Sequence, residues 1–538
     1  MTNDLNLLDL GLDWKLALQR VTKDLRDDFW PDPLGFKDVL GSDEAGIRRL
    51  EPLLKSYKPR RGASYQVPKV NFTIRDSIYI SALDRLVYQA LIDRLIVHID
   101  PRLSPGVFSH RLRAPTSKWI FYSGVEQWKK FLDAVKTELH ARPKSWLVIT
   151  DLSQYFETVR FRPLKRQLEE MLGETLTPDL QRCIDALMRC LSVWSPYDGY
   201  GLPQNIEASS FLGNVLLDRS DKLMERDGFP IIRYMDDIRL VVPSEADARI
   251  ALMRLVSYLR DIGLGVNSAK TEVLRPGSKE IQAHLLVEDA EVTAIERAIG
   301  TKDRSQVQGI VKVLFGKANR LLESGKVGER IFRFCLNRIA TLRAYGNLEL
   351  PDGNSLTSGV LRLLVERPAE TDTFCRYLEV APLNAEHSAE IERLLILEPL
   401  CVYAWQNFQL WSLASQRKIK SDKLVHRAHA AISKDHASPG TAAVALYLGS
   451  CGDYVDRQAL EKRLSSVPPG LVRRCFLIAI QELNKAERNA AYDRLSHEDV
   501  ETEILADHLQ GLHEPIYVDN PPRVSIEDLP DAMPSVYA

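Results

Sequence analysis

The chain has 538 residues, 45% hydrophobic and 27% charged, and a net charge of −2, which is ordinary for a soluble protein but too long for one hydrophobic core. Its apolar runs are shorter than the ~18 residues that a transmembrane helix needs, and its acidic N-terminus lacks the basic region of a signal peptide. The seven cysteines include no CxxC pair, which argues against a disulfide framework or a zinc site. We therefore expect a cytoplasmic protein with no membrane partner.

Charge is distributed unevenly along the chain. Residues 51–150 hold 17 Lys and Arg against 8 Asp and Glu, a net of +9, whereas residues 491–538 hold 2 against 11, a net of −9. The basic region suits a polyanionic partner, with a merely solvated face as the alternative. The acidic end predicts a tail that avoids nucleic acid or docks on a basic surface.

The first part of the chain mixes helical and irregular patterns. Residues 1–54 predict an N-terminal helical segment, and KPRRGASYQVPKVN reads as a basic, turn-rich stretch. The segment FTIRDSIYISALDRLVYQALIDRLIVHID predicts a short strand followed by an amphipathic helix. Residues 104–124 are irregular and basic, and a helix is expected over about 125–141.

A compact apolar strand is predicted over Trp146–Thr150, ending at Asp151. Helices follow, and then the loop YDGYGLPQN leads into another helix. The stretch FPIIRYMDDIRLVVP predicts a hairpin with two branched apolar strands, and LGVNSAKTEVL closes this region near residue 280.

Apolar spacing from 285 to 510 is almost entirely helical, with irregular Gly and Pro breaks. Paired helices of the solenoid type would fit this pattern, although no exact repeat unit is present. Residues 511–538 predict an acidic, proline-rich tail.

The hairpin carries an electrostatic conflict, because Asp236 and Asp237 lie side by side between apolar runs. Burying like charges together is costly unless something positive binds there. Taken singly, the signals are weak: an Asp after a strand, such as Asp151, is more often a cap, and a DD pair in a hairpin is usually only a turn. The prediction rests on their order and spacing.

That order resembles the reverse transcriptases, motif by motif. The matching segments are Asp151 to Phe156 (D-x4-F), Pro203-Gln204 with Ser210 and Asn214, Tyr234-Met235-Asp236-Asp237 (YMDD), and Gly263-Leu264-Gly265-Val266-Asn267 with Lys270-Thr271. The resemblance covers residues 55–280 and implies an α+β right-hand polymerase fold of fingers and palm, followed by the all-α, repeat-like region. It implies an RNA-directed DNA polymerase that uses deoxynucleoside triphosphates and Mg²⁺, with Mn²⁺ as a substitute.

The resemblance also implies the metal ligands. Nucleotidyl transfer uses two divalent cations about 3.5–4 Å apart, and hard cations prefer oxygen ligands. Asp151 and Asp236 would be the principal carboxylate ligands, the backbone carbonyl of Leu152 a third oxygen, and Asp237 a weaker or more distant ligand.

Other residues are implied as nucleotide contacts. Phe156 matches the steric gate that excludes a ribose 2′-OH, which predicts deoxynucleotide substrates; an ordinary core role for Tyr155 or Phe156 is the alternative. Gln204 and its loop would contact the incoming base and the template. Asn205 departs from the glycine common in the family, which puts the backbone geometry of this loop in question.

Basic residues are implied as phosphate contacts. Lys270 would donate a proton to the leaving pyrophosphate or balance its charge, and an ordinary surface lysine is the alternative. Lys69 and Arg75 lie where the fingers would clamp the triphosphate, and Arg111 and Arg113 are further candidates.

A palm followed by a long helical region resembles the bacterial abortive-infection and defence-associated reverse transcriptases of the unknown-group type. That resemblance implies antiphage defence, homo-oligomers, a nucleic-acid partner that can be a non-coding RNA, and non-conventional templating or priming, for which Tyr517 and Tyr537 are candidates. The alternatives are a mobile-element enzyme, retron-like or group II intron-like, that copies a cognate RNA, and a catalytically idle nucleic-acid-binding scaffold.

Overall fold

The computed structural model describes residues 4–25, 28–41, 44–285, 290–301, 303–344, 348–397, 402–435 and 438–517. The strands are β1 (Ala63–Pro68), β2 (Ile74–Tyr79), β3 (Trp146–Thr150), β4 (Ile232–Tyr234), β5 (Asp237–Val242) and β6 (Glu272–Leu274). The helices up to the end of the sheet region are α1 (Trp14–Asp24), α2 (Lys37–Leu40), α3 (Glu44–Lys55), α4 (Ala82–Ile99), α5 (Gly124–Ala141), α6 (Tyr155–Thr158), α7 (Phe161–Leu172), α8 (Pro178–Trp194), α9 (Glu207–Arg226), α10 (Glu245–Asp261) and α11 (Lys279–Leu285). The later helices are α12 (Ala290–Gly300), α13 (Arg304–Glu323), α14 (Arg330–Ala344), α15 (Asn354–Glu366), α16 (Thr371–Val380), α17 (Ala385–Ile396), α18 (Ala404–Gln416), α19 (Asp422–Lys434), α20 (Pro439–Cys451), α21 (Tyr454–Arg463), α22 (Leu471–Ala479), α23 (Lys485–Ser496) and α24 (Val500–Gly511).

The central sheet is antiparallel, with strand order β4-β5-β3-β6. The strand β3 is apolar from Trp146 to Ile149 because the sheet is covered on both faces. Val148 points into the main core, whereas Leu147 and Ile149 point to a second cluster formed with Phe131 and Leu132 of α5. This alternation follows the two-residue period of a strand. The prediction of a strand over Trp146–Thr150 is confirmed.

The fingers hairpin pairs β1 with β2 from Ala63–Tyr79 to Pro68–Ile74. Its second strand and a helix after it were expected, but α4 is buried on nearly all sides rather than amphipathic, because α1, α8 and α9 pack around it. The strand β1 lies in the stretch interpreted as turn-rich, so that interpretation was also wrong. The local sequence has few strand signals, and pairing with β2 along all six residues stabilises the extended conformation instead. The helix α4 is capped by Ser81, whose hydroxyl accepts the backbone N–H of Asp84.

Helices alone follow β6 among the described residues, as the apolar spacing predicted. The helices α14, α16, α18, α20 and α22 pack in one row, each against the next, and α13, α15, α17 and α19 form a second row beside them. The description of this region as repeat-like stays a prediction, as do the boundaries 1–54, 55–280, 285–510 and 511–538.

The end of the helical region packs against the beginning of the chain. Arg474 on α22 is buried and forms ion pairs with Asp32 and Asp38, and Arg60 contacts Asp499 at 2.9 Å. The indole of Trp405 donates to the Phe29 carbonyl at 2.9 Å. The main hydrophobic core runs continuously from the N-terminal helices through the sheet region to α24, so the expectation that the chain is too long for one core was wrong.

Two residues of the predicted tail were candidates for protein priming. Tyr517 is only 9% exposed, and its hydroxyl donates to Glu482 at 2.9 Å, so the expectation of an exposed tyrosine was wrong at this position. Packing against the helical region buries it. Tyr537 lies outside the described residues, as does the rest of 518–538. None of the helices that the structure describes has the length and apolar character needed to cross a membrane.

Candidate active site

Two strand ends bring the predicted carboxylates together. Thr150 pairs with Ile238, so Asp151 follows β3 directly beside the β4–β5 turn that carries Asp236. Asp236 and Met235 are the two turn residues, and Met235 has a φ of 59°. A positive φ at a non-glycine residue is strained and stays only where the surroundings enforce it.

The side chain of Asp236 is partly buried, next to the carboxylates of Asp151 and Asp237. Burial, first, and the neighbouring Asp151 carboxylate raise the pKa of Asp236 to about 7. Burial also raises the pKa of Asp237, against the opposing effect of Arg239. Near neutral pH, Asp236 therefore holds a proton part of the time unless a cation stabilises its charge.

Lys270 supplies a positive charge at this site. Its ammonium lies 2.5 Å from the Asp151 carboxylate, although the side chain is 66% exposed. The segment before it is fixed to the sheet, because the N–H of Asn267 donates to the Asp151 carbonyl at 2.7 Å and the hydroxyls of Thr150 and Thr271 are 2.8 Å apart. In this arrangement Lys270 is the charge partner of a carboxylate, and its predicted role toward pyrophosphate stays a prediction.

Asp237 has a different partner. The guanidinium of Arg239 contacts its carboxylate at 3.0 and 3.2 Å and lies over the Phe131 ring. Within the described ranges, no group of three or more His, Cys, Asp or Glu side chains is arranged to hold a metal ion. Of the three predicted ligands, Asp151 and Asp236 therefore lie together, whereas Asp237 forms an ion pair with Arg239.

The remaining oxygen atoms fit a hard divalent cation. Asp151 and Asp236 present adjacent carboxylates whose repulsion raises the pKa of Asp236, and a divalent cation would relieve that repulsion. Leu152 forms an isolated bridge with Val266, and the hydrogen bonds around that bridge use the Asp151 carbonyl and the Ser153 N–H. The Leu152 carbonyl takes no part in them.

A buried polar network holds the strained turn, and sequence reasoning missed it. The side chain of Arg233, 0% exposed, forms an ion pair with Asp221 at 2.8 Å and donates to the Asn214 side-chain oxygen at 2.6 Å and the Met235 carbonyl at 3.3 Å. The Ser109 hydroxyl accepts the Met235 N–H at 2.7 Å, and the Asn214 amide donates to the Ser109 carbonyl. An arginine inside an otherwise apolar strand was the available signal, because such a charge needs a buried partner.

The loop containing Gln204 lies against the fingers. Gln204 is buried and donates to the Asp76 carbonyl of β2 at 2.8 Å, so its side chain fixes the loop, and a base contact stays a prediction. Phe156 is half-buried against Tyr155, and its carbonyl accepts the Leu202 N–H at 2.9 Å.

Asn205, at the position where the family commonly has glycine, has a backbone conformation that favours glycine. It is exposed with a φ of 57°, in the left-handed region that glycine adopts freely. Asparagine tolerates this region better than most side chains. The loop therefore has the conformation for which a glycine is suited, although it lacks the glycine.

The basic fingers residues meet beside α6. Lys69 lies 3.7 Å from Glu157. Burial lowers the pKa of Arg75, while the carboxylates of Glu157 and Asp236 oppose that effect, which places its guanidinium in the field of the site. Arg111 is instead paired with Asp100 at 3.0 Å, an internal contact that holds the irregular segment before α5.

Comparison with known proteins gives one family match. The profile for Reverse transcriptase (RNA-dependent DNA polymerase) matches residues 67–306, from within β1 to within α13. A search of curated proteins found no match.

Two solved telomerase structures are similar to the chain. One, apo telomerase from Candida tropicalis truncated from its C-terminal domain, has 14% identity and a TM-score of 0.29, covering 41% of this chain and 52% of that one. The other, telomerase from Candida albicans in complex with a TWJ fragment of telomeric RNA, has 12% identity and a TM-score of 0.30, covering 70% and 64%. The chain thus spans between about half and two thirds of those chains, and at these TM-scores the likeness carries no functional argument.

The family match includes the whole four-stranded sheet that places Asp151 beside Asp236. Residues 67–306 are thus similar to the reverse transcriptase domain of RNA-directed DNA polymerases, which are nucleotidyltransferases.

Proposed function

We propose that this chain adds deoxynucleotides to a growing DNA strand at the site of Asp151 and Asp236. The observation that carries the proposal is the juxtaposition of these two carboxylates at neighbouring strand ends of one antiparallel sheet. Rigid strands hold reactive groups more accurately than loops do. The match of residues 67–306 to the reverse transcriptase family supports the same chemistry.

Asp151, Asp236 and the Leu152 carbonyl would hold Mg²⁺, or Mn²⁺ in its place, with Asp237 joining them if Arg239 releases it. Bound divalent cations would supply charge stabilisation for the attacking and leaving oxygens. Lys270 would exchange its ion pair with Asp151 for one with the leaving pyrophosphate. Arg75 and Lys69 would bind the triphosphate, and Phe156, with its carbonyl anchored to Leu202, would exclude a ribose.

We also propose a role in antiphage defence, with a nucleic-acid partner such as a non-coding RNA and assembly into homo-oligomers. The support is the all-helical continuation after the palm, which resembles the defence-associated enzymes. A mobile-element enzyme would instead copy one cognate RNA. Sequencing the DNA product distinguishes them, because a faithful copy of one RNA favours the mobile element, whereas random or homopolymeric DNA favours the defence role.

The direct test is incorporation of labelled deoxynucleotides by the purified chain in Mg²⁺. Asp236→Asn, which removes the charge and keeps the shape, should abolish incorporation, and Asp261→Asn on the exposed end of α10 is the matched control. Incorporation that survives Asp236→Asn would contradict the site assignment. A wild-type chain that binds nucleic acid but incorporates nothing, with any template or primer, would favour the idle scaffold.

A further inference from the structure

Two stacked tyrosines lie in the loop between α8 and α9, which hydrogen-bonds to the short helix α6 that follows Asp151. The rings of Tyr197 and Tyr200 are 5.2 Å apart and nearly parallel, at 10°. Tyr200 is 39% exposed, so one face covers Tyr197 while the other faces solvent. Single exposed aromatic residues are common and need no explanation. This pair differs because hydrogen bonds to the neighbouring strands and loop hold both tyrosines in place.

The inner ring is fixed to the fingers. The Tyr197 hydroxyl donates to Asp76 of β2 at 3.0 Å and lies 3.2 Å from the Ser64 hydroxyl of β1. Next to the outer ring, Gly201 has a φ of 90°, and a Cβ there would lie 3.2 Å from the Tyr197 ring. The backbone thus packs against the stacked pair.

The backbone of Tyr200 is fixed to the segment around α6. The Ser195 hydroxyl donates to the Tyr200 carbonyl at 2.6 Å, and Arg160 and Tyr200 form a backbone bridge. The next N–H groups, of Gly201 and Leu202, donate to Val159 and Phe156 at 2.9 Å each. Tyr200 is therefore tied to the short helix that follows Asp151 and carries the predicted steric gate.

A positive charge lies beside the pair. The exposed Arg61 donates to the Pro196 carbonyl at 3.0 Å, one residue before Tyr197. An exposed aromatic face with a neighbouring guanidinium is the combination that binds single-stranded nucleic acid, since bases stack on the ring and the cation attracts phosphate.

We propose that the outer face of Tyr200 stacks a nucleobase of a single strand bound across the active site. This inference rests on the proposed polymerase function for its biological meaning, but the contact itself is a binding property. The ring would be a binding residue for the strand, with Tyr197 as the positioning residue beneath it. Rigid preorganisation of the pair means that little ordering is needed when the base arrives.

The test measures strand binding in the Asp236→Asn background, so that no extension alters the oligonucleotide. Fluorescence anisotropy compares a labelled oligo(dT) with a matched strand of abasic sites. Tyr200→Ala should weaken oligo(dT) binding by about tenfold and leave the abasic strand unaffected. Tyr200→Trp should bind oligo(dT) at least as tightly as Tyr200, and Tyr454→Ala, at a similarly exposed tyrosine of α21, should change neither.

Equal weakening for both strands, or no weakening for oligo(dT), would overturn the proposal. So would unchanged strand binding combined with weaker binding of free deoxynucleotide, which would assign the ring to the incoming nucleotide. If Tyr200→Ala failed to fold, Tyr200→Leu would keep an apolar contact with Tyr197 and serve the same comparison. Strand binding tests the role of Tyr200, whereas deoxynucleotide incorporation by the Asp236→Asn variant tests the polymerase function. A negative result in the first experiment therefore does not contradict the second proposal.

Discussion

The ammonium of Lys270 lies 2.5 Å from the carboxylate of Asp151, which is also the carboxylate proposed to bind a divalent cation. Lys270 would therefore compete with the proposed divalent cation for one carboxylate. Since Lys270 is largely exposed, the ion pair is screened by solvent and contributes little to folding. We expect the ion pair to affect the affinity for Mg²⁺ instead of the stability of the fold.

Removing that competition should strengthen metal binding while slowing the reaction. For Lys270→Gln we expect Mg²⁺ to stabilise the protein at concentrations roughly two- to tenfold lower, as measured by thermal shift titration without nucleotide. Incorporation should fall, because the positive charge proposed for the pyrophosphate is absent. Lys423→Gln, on the exposed face of α19, is the control. An unchanged Mg²⁺ midpoint would show that Lys270 does not compete.

Asp236 should make the metal-free protein less stable as pH rises. Because its pKa is raised from 3.8 to about 7, the folded state binds the proton more tightly than the unfolded state. The stabilisation is complete below pH 4 and is lost as pH rises to about 7. Asp236→Asn should therefore match the wild-type melting temperature near pH 4 and exceed it near pH 8, both in chelator. Equal melting temperatures at both pH values would contradict this prediction, and added Mg²⁺ should raise only the wild-type value.

Arg233 should be required for the stability of the turn. Arg233→Ala leaves the buried Asp221 without its partner, and breaking such a pair costs about 3–5 kcal/mol. Urea denaturation should detect this loss in the free energy of unfolding, and Arg226→Ala, at the exposed end of α9, should be near neutral. A loss below about 1 kcal/mol would mean that the network relaxes around the missing guanidinium.

Asn205 should accept glycine but not a branched side chain. Asn205→Gly keeps the positive φ without strain, whereas Asn205→Val should cost about 1–2 kcal/mol. Asp198→Val, in the same loop but outside the positive-φ positions, gives the matched comparison. Melting temperatures and the KM for deoxynucleotide would report the two effects. Equal tolerance of valine at both positions would show that the loop conformation changes readily.

Much of the candidate site could be predicted from the sequence because the local patterns and the motif order agree. The apolar run of β3 and the hairpin around Asp236 are short-range features, and their adjacency follows once both are strands of one sheet. The ion pair of Asp237 with Arg239 was not foreseen, although the two residues are close in sequence, because a side-chain direction depends on what lies on each face of the sheet. The hydrogen bond between Met235 and Ser109 joins segments 126 residues apart, and no local pattern encodes it.

The ion pairs of Arg474 with Asp32 and Asp38 have a consequence for the timing of synthesis. Asp32 and Arg474 are 442 residues apart, so at about 5–20 residues per second the acidic pair waits roughly 20–90 s for its partner to be translated. During that interval the N-terminal segment cannot complete its core, and its apolar surface is open to chaperones or to other nascent chains. A truncated product that ends before Arg474 would leave that surface exposed, so we expect the N-terminal segment to be completed only after the last helices are made.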